Sequence, residues 1–369
     1  MNELIPQSSK ELLSTIGNYA KKLGLSAWVV GGAVRDFYLG KITEDVDLVF
    51  DATQESVAGF CVRTWGGEKH RFSQFGTFRV KLNNGLKLDL ARLRKEKYIF
   101  PGALPEVTFT TQLKEDLFRR DFTVNSWALS ILPETFGKSC DPYGAQKDID
   151  SGLIRILHEK SFLDDPTRIF RAIRFAGRFG WKLAPKTERL LRQAARDEYP
   201  LLVSRDRFCR ELMKILEEEK IKEIFELLQK YDLLKFAWPN LKYHVALEKT
   251  QDSQVRLGIL VLSLKDKGED FLKSLRPTKK MSHEILSVLR LVQQEVCPLS
   301  PLSEYQRTLL QLFLPHLPSQ ALEPCFIHGC ELQTFGLFGR RISGVLKKVR
   351  YAQWHGEISS REEAIKLIS

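Results

Sequence analysis

Trp28-Val29-Val30-Gly31-Gly32-Ala33-Val34-Arg35-Asp36, continued by Glu44-Asp45-Val46-Asp47-Leu48-Val49, is the stretch on which the fold turns. A β-branched and aromatic run ends in two glycines, a short helix follows, and a second apolar strand carries two aspartates. Paired glycines let a backbone approach an anion where a side chain would obstruct it. The helix that starts there offers free N–H groups and the positive end of its dipole, which favour a phosphate. Arg35, on its first turns, can reach the same triphosphate.

Asp45 and Asp47 stand at i and i+2 of a strand, so both carboxylates leave the same face, about 6 to 7 Å apart at the backbone. Two oxygen ligands beside a triphosphate suit Mg²⁺. A pair of such ions about 3.5 to 4 Å apart can activate an attacking hydroxyl and neutralise the leaving pyrophosphate. Asp-x-Asp alone is common at strand ends. Joined to Gly31-Gly32-x-x-Arg35-Asp36 at this distance, it resembles the signature of the polymerase β-like nucleotidyltransferases.

The 369 residues, 43% of them hydrophobic, are enough for two or three domains with real cores, which excludes a disordered chain. Lys and Arg (57) outnumber Asp and Glu (46), and the resulting +11 suits a polyanionic partner such as nucleic acid. No apolar run approaches about 18 residues, so no membrane span is expected. Met1 to Lys10 has no signal-peptide core. The six cysteines form no Cys-x-x-Cys pair, which fits a reduced, cytoplasmic setting. Cys325, His328 and Cys330 lie close together but lack a second ligand pair at zinc spacing.

Around the opening stretch, periodicity predicts a helix over 3–24 (Leu4, Leu12, Leu13, Ile16, Leu23) packed under the first strand, and another over 57–65. A hairpin is expected over 71–82, with Phe72, Phe75, Phe78, Val80 and Leu82 partly on a two-residue period around Gly76-Thr77. Leu86 to Ala91 alternates as a strand with Asp89 opposite its leucines. Arg92 to Thr111, rich in charge and holding Phe100-Pro101-Gly102, has no clean period and reads as a mobile loop near the site. In Glu115 to Ser126, Arg119, Arg120, Asp121 and Asn125 would share a helix face. Asp141 to Ile149 is expected as a turn closing the sheet, with Gly152 to Leu157 as its last strand. From Lys186 onward the period is helical.

Asp164-Asp165-Pro166-Thr167-Arg168 opens the most informative helix, since Pro at a helix start after Asp marks an N-terminus. Asp165, Arg168, Arg171 and Arg174 recur every three residues as a polar stripe, with Ile169, Phe170, Ile173 and Phe175 on the packed face. Such a stripe is a solvated or phosphate-facing surface, or a reader of bases. Cytosine and adenine both present an exocyclic amine beside a ring-nitrogen acceptor, so an acceptor Asp165 next to a donor Arg168 fits C and A and repels U and G. A good bidentate pair of this kind discriminates by about 1 to 3 kcal/mol.

Gly31-Gly32-x-x-Arg35-Asp36 with Asp45-x-Asp47, Arg119-Arg120-Asp121-Phe122-Thr123-x-Asn125, Asp141 to Gly144, Asp164-Asp165-x-x-Arg168 and Ser204 to Leu212 occur in the order found in the class II tRNA nucleotidyltransferases and bacterial poly(A) polymerases, which this chain resembles over about residues 28 to 212. The resemblance implies an α+β fold: a polymerase β-like nucleotidyltransferase head, a mixed sheet with helices, followed by an all-helical neck, body and tail. The corresponding spans are 1–157 for the catalytic head, 158–212 for the neck with its nucleotide-reading helix, 213–285 for the body and 286–369 for a tRNA-binding tail.

By the same resemblance the chain adds CMP and AMP, from CTP and ATP, to the tRNA 3′ end without a template, with Mg²⁺ as cofactor. Addition of A alone, or poly(A) synthesis, are the alternatives within the family. Asp45 and Asp47 correspond to its metal ligands. Gly32, Arg35 and Arg120 correspond to triphosphate and sugar contacts, Gly31, Asp121 and Asn125 to nucleotide-binding positions, and Asp165, Arg168, Arg171 and Arg174 to its nucleotide-reading helix. Asp89 is either the third carboxylate that helps deprotonate the attacking hydroxyl or a solvent-facing strand residue.

Two positions depart from the pattern: Asp164 stands where Glu is usual, and Arg205-Asp206-Arg207 where Glu-Arg opens the fifth motif. Members that stop after CC lack a loop between the first motifs, and Arg92 to Thr111 fills that interval here. No His-Asp metal motif marks the phosphohydrolase domain of some relatives. Near the end, Arg340, Arg341, Lys347, Lys348 and Arg350, interleaved with Leu346, Val349 and Tyr351, form either a face for an RNA backbone or a solvated helix surface. The oligomeric state is not legible.

Overall fold

The structure, a computed structural model, describes residues 4–72, 76–294, 297–298 and 300–368; Phe75 of the expected hairpin, and residue 3 of the expected first helix, lie outside the described residues. The chain forms two compact units, Met1–Val203 and Ser204–Ser369.

The first unit runs α1 (Gln7–Lys22), β1 (Ala27–Val30), α2 (Gly32–Tyr38), β2 (Asp45–Phe50), α3 (Glu55–Trp65), β3 (Glu68–Phe72), β4 (Thr77–Lys81) and β5 (Lys87–Arg92). It continues through β6 (Arg94–Lys97), β7 (Glu106–Phe109), α4 (Leu113–Phe118), β8 (Ala128–Ser130), β9 (Ser139–Cys140), α5 (Ala145–Asp150), β10 (Leu153–Ile154), α6 (Ser161–Asp164), α7 (Thr167–Phe179), β11 (Lys182–Leu183) and α8 (Pro185–Arg196). Seven strands make one mixed sheet in the order β3-β4-β5-β2-β1-β8-β9. β2 and β5 are parallel and the other neighbours antiparallel.

The strand period decides what each face does. Val46, Leu48 and Phe50 are buried on one side of β2, while Asp45 and Asp47 are exposed on the other. Farther along that second face, Leu117 of α4 packs with Val30, Val49, Leu93 and Ala128. α4 therefore covers the end of the sheet beyond the acids and leaves the acids open. α1 buries Leu13, Ile16 and Ala20 as its period requires. It lies against α3 and residues 133–135. Gly17 allows that approach, since a Cβ there would stand 1.7 Å from the Ile131 carbonyl oxygen.

Three expectations are corrected. Arg92 to Thr111 is not an unstructured loop but holds the antiparallel pair β6 and β7. Its inward positions are Arg94 and Glu96, ion-paired at 3.1 Å, so the strand alternation is written in charge rather than in apolar residues. Leu153–Ile154 is not the last strand of the main sheet: it pairs in parallel with β11 in a separate sheet, and the edge is β9. Ala128-Leu129-Ser130 of β8 is buried on every residue, which erases the alternation that would have revealed it. Finally, the helix expected over Glu115 to Ser126 ends at Phe118, Phe122 is extended, and Thr123–Asn125 is a single 3₁₀ turn.

In the second unit the described regular elements are all helices, from Arg205–Leu216 to Arg361–Ile368. Its centre is Ser253–Ser263, buried from Val255 through Leu262 and capped by the Asp252 carboxylate, which accepts from the N–H groups of Gln254 and Val255 at 2.8 and 3.2 Å. Arg256, 1% exposed, lies inside and donates to the carbonyls of Leu216, Glu218 and Leu247. Arg350 is equally interior, 2% exposed, and donates to the carbonyls of Pro298, Ala321 and Glu323. This removes Arg350 from the expected basic face: it caps free carbonyl groups. Arg340, Arg341, Lys347 and Lys348 are exposed. Among the described residues no helix is long and apolar enough to cross a membrane.

Candidate nucleotide site

Gly31 has φ of 75°, the left-handed region that glycine tolerates, and its N–H donates to the Trp127 carbonyl. It is also required sterically. A Cβ at Gly31 would stand 2.6 Å from Nη1 of Arg120 and 3.4 Å from Oδ2 of Asp47. The turn, the arginine and the acid, separated by 73 residues between Asp47 and Arg120, thus meet around one backbone atom. Gly32 likewise borders Arg35, whose Nη2 lies 3.4 Å from where its Cβ would be.

The three acids share the open face of the sheet, and the parallel register sets Asp47 opposite Asp89. Asp89 is held by Arg79 of β4, which donates from Nε and Nη2 at 2.7 Å each. Asp45 lies 3.6 Å from Lys87. Asp47 is exposed, yet the protein around it desolvates its carboxylate and pushes the pKa up; Arg120 pulls it down, and Asp89 and Asp45 push it up again.

Beside the acids lie two carboxylates whose role sequence reading missed, Asp116 and Glu96. Asp116, fully buried, accepts from Arg119 at 2.8–2.9 Å and from Nη2 of Arg120 at 3.1 Å. Burial would raise its carboxyl, but the two guanidinium groups outweigh burial and hold it low. Glu96 of β6 takes Arg119 from the other side at 2.9 Å. The i,i+3 and i,i+4 spacing from Asp116 to Arg119 and Arg120 was the available signal.

Arg35, Asp121, Asn125 and Arg171 are brought together, but with one another. Arg171 donates to Asp121 at 2.5–2.9 Å, Asn125 Nδ2 to Asp121 at 2.9 Å, and Arg35 Nη1 to Asn125 Oδ1 at 2.5 Å. Arg35 also donates to Asp36 and lies 4.8 Å from the Phe179 ring. Only 3% exposed, it ties α2 to the 3₁₀ turn and α7. Burial would raise the Asp121 carboxyl, but Arg171, the Asn125 hydrogen bond and Arg168 hold it at about 2.

α7 is buried around most of its girth, Arg168 and Arg174 of its arginine stripe included, with Arg171 partly exposed. Arg168, 4% exposed, donates to Ser161 Oγ at 2.8 Å and to the Arg119 carbonyl at 2.7 Å; Arg174 is also buried, 4.6 Å from the Phe175 ring. Asp165 accepts from both the N–H and the hydroxyl of Thr167, at 3.0 and 2.6 Å. The stripe is therefore neither a solvated surface nor a free set of donors. A cavity of about 700 Å³ adjoins it, with Tyr98, Phe118, Arg119, Tyr143, His158 and Arg168 on its wall. Asp164, the position with the shorter arm, lies 3.9 Å from His158 at its edge.

Among the described residues no three His, Cys, Asp or Glu side chains are gathered as a ready-made metal cage. Asp45 and Asp47 on one face nonetheless fit a hard divalent cation of the Mg²⁺ kind, which is bound through one or two carboxylates and completed by water and phosphate oxygens.

Residues 27–155 match the poly(A) polymerase head domain, and residues 180–244 match the probable RNA and SrmB-binding site of polymerase A. The A-adding tRNA nucleotidyltransferase of Aquifex aeolicus is 34% identical over 370 residues, covering 88% of this chain and 44% of that protein. The CCA-adding enzyme of Bacillus pumilus is 28% identical, covering 93% of this chain and 92% of that protein. A crystal structure of a tRNA nucleotidyltransferase complexed with a primer tRNA and an incoming ATP analog superposes with a TM-score of 0.65 at 32% identity, covering 80% of this chain and 94% of that one. This chain spans less than half the length of the A-adding relatives it matches. With the head-domain match, the glycine turn and the acid pair in one structure, the chain belongs to the family of tRNA nucleotidyltransferases built on the poly(A) polymerase head.

Proposed function

We propose that this protein is a Mg²⁺-dependent enzyme that adds CMP and AMP, from CTP and ATP, to the tRNA 3′ end without a nucleic-acid template, in the cytoplasm. The observation that carries this reading is the meeting of Gly31, Arg120 and Asp47 at one point, with Asp45 and Asp89 on the same sheet face. A backbone turn and a guanidinium receive the triphosphate, and carboxylates stand where its α-phosphate would be attacked. The family is in general metal-dependent. Asp45 and Asp47 would hold Mg²⁺, which when bound activates the 3′ hydroxyl and neutralises the leaving pyrophosphate. Arg79 orients Asp89 toward the hydroxyl proton. Asp165 and Arg168 read the base, while Arg171, Asp121, Asn125 and Arg35 keep α7 registered on the turn. In this reading residues 1–157 are the catalytic head, 158–212 the neck, 213–285 the body and 286–369 the tRNA-binding tail.

A-only addition is the second reading, favoured by the 34% identity to the Aquifex aeolicus A-adding enzyme. Transcripts ending before CCA, after C and after CC, each supplied with CTP, ATP or both, decide the matter. Completion of all three with both nucleotides is expected. Extension of only the CC-ending transcript, and only with ATP, would replace CCA addition by A addition. A ladder beyond the single A would indicate poly(A) synthesis.

A further inference from the structure

Asp116 touches neither the glycine turn nor the open face of the sheet, and its side chain has no solvent exposure. Its two oxygens are nevertheless fully employed. Oδ1 accepts from Arg119 Nε at 2.9 Å and from the Arg94 backbone N–H at 3.2 Å; Oδ2 accepts from Arg120 Nη2 at 3.1 Å. Arg120 is thereby pinned at one corner of its guanidinium. The opposite corner, Nη1, occupies the space in which a Gly31 Cβ would fall, beside Asp47 Oδ2. Buried Nε of Arg120 has no hydrogen-bond partner. Nη1 is thus the corner of the fork that stands at the glycine turn, while Nη2 is held by Asp116. A guanidinium without the Asp116 anchor would have a carboxylate within easy reach, because Nη1 and Asp47 Oδ2 stand 2.6 and 3.4 Å from the same point at Gly31. The peptide between the two arginines has a second duty, since the Arg119 carbonyl accepts from Arg168 of α7. A single buried carboxylate thus fixes two consecutive residues, of which one ends on the phosphate turn and the other on the base-reading helix.

We propose that Asp116 is the positioning residue for Arg120, holding its guanidinium off Asp47 and open to the leaving pyrophosphate. This rests on the nucleotidyl-transfer reading above. A carboxylate fits the role because it can take two forked donors at once with fixed geometry.

The test uses the full chain carrying Asp116→Asn, Arg120→Lys, or both. Binding of inorganic pyrophosphate with Mg²⁺ is measured by calorimetry, alongside kcat and KM for CTP and binding of a transcript lacking CCA. Asn keeps the shape of the side chain but loses the charge. About a tenfold loss of pyrophosphate affinity is expected from Asp116→Asn, as for one charge-assisted contact. RNA affinity should be unchanged, and the double variant should be no weaker than Arg120→Lys alone. Losses that multiply, or a fall in turnover with pyrophosphate affinity intact, would overturn the proposal and leave Asp116 a structural residue. Should Asp116→Asn fail to fold, Arg120→Lys decides: an ammonium cannot span Asp116 and the turn together, so wild-type pyrophosphate affinity in that variant would also overturn it. Calorimetry is independent of turnover. Weakened pyrophosphate binding in a protein that extends no RNA would therefore support the role of Asp116 while refuting the proposed reaction.

Discussion

Asp47 and Asp89 stand directly opposite each other in the parallel pairing of β2 with β5, yet their surroundings differ: Asp89 is clasped by Arg79, whereas Asp47 faces Arg120 across Gly31. Neighbouring carboxylates on one face repel, and the clasp relieves Asp89 but not Asp47. Desolvation by the surrounding protein, with Asp89 and Asp45 adding to it against the pull of Arg120, pushes the Asp47 carboxyl up.

That asymmetry predicts a separation of activity from stability at Asp47. Asp47→Asn should abolish nucleotide addition, as should Asp45→Ala, because losing a metal ligand costs several kcal/mol of transition-state stabilisation. A raised carboxyl pKa makes the ionised form a burden above that pKa, so Asp47→Asn should melt no lower than wild type at pH 7. Single-turnover rates and thermal melts check both. Residual turnover above roughly a tenth of wild type in either variant would refute the metal-ligand assignment.

Asp121 makes the opposite pH prediction. Its folded-state pKa of about 2 lies below the ordinary 3.8, so its contribution is fully present above 3.8 and is lost as the pH falls toward 2. The shift corresponds to about 2 kcal/mol. Asp121→Asn should lose that acid-dependent portion, flattening the stability curve between pH 4 and 2, and should also destabilise the protein at pH 7 by removing the charge to which Arg171 donates. Denaturant midpoints across pH measure it, and an unaltered acid limb would count against the pairing.

Base selectivity is best probed at Asp165 alone. Exchanging Asp165 and Arg168 would bury a carboxylate against Ser161 and the Arg119 carbonyl, and the fold would suffer first. Asp165→Asn keeps the size and replaces a pure acceptor by a mixed donor and acceptor. Discrimination of CTP and ATP from UTP and GTP should fall by about 1 to 3 kcal/mol in kcat/KM. If the four nucleotides kept their wild-type ratios, recognition would have to lie on other residues.

Arg256 offers a stability test away from the chemistry. Arg256→Met removes three hydrogen bonds to carbonyls at a site with 1% exposure and leaves those acceptors buried. A loss of about 3 kcal/mol or more is expected in urea unfolding. A loss below about 0.5 kcal/mol would mean that water or the backbone takes over all three acceptors.

The glycine turn, the acid pair and the start of α7 were legible because their signals are local: glycines at a turn, carboxylates at i and i+2, a proline at a helix start. Where the readings failed, partners distant in sequence had replaced the expected pattern. Arg94 and Glu96 alternate as faithfully as valines would, but their inward face is satisfied by Arg119, 23 residues beyond Glu96. The arginines of α7 kept their spacing while their meaning changed, since an arginine on a predicted polar stripe is read as solvated until a carboxylate such as Asp121 is found behind it. β8 was invisible because total burial removes the two-residue period. Arg350 has the composition of an RNA-facing residue, and only the three carbonyls around it show otherwise.

The interior placement of Arg256 and Arg350 bears on how strongly salt should weaken RNA binding. Both count toward the formal +11, but neither can touch a phosphate or displace an ion condensed on a nucleic acid. The number of counterions released on binding is set by cations that reach the polyanion, such as exposed Arg340, Arg341, Lys347 and Lys348. The slope of log affinity against log salt should therefore fall by about 1 for each of those four that makes a phosphate contact and is neutralised, and should be insensitive to any replacement of Arg350 that preserves the fold.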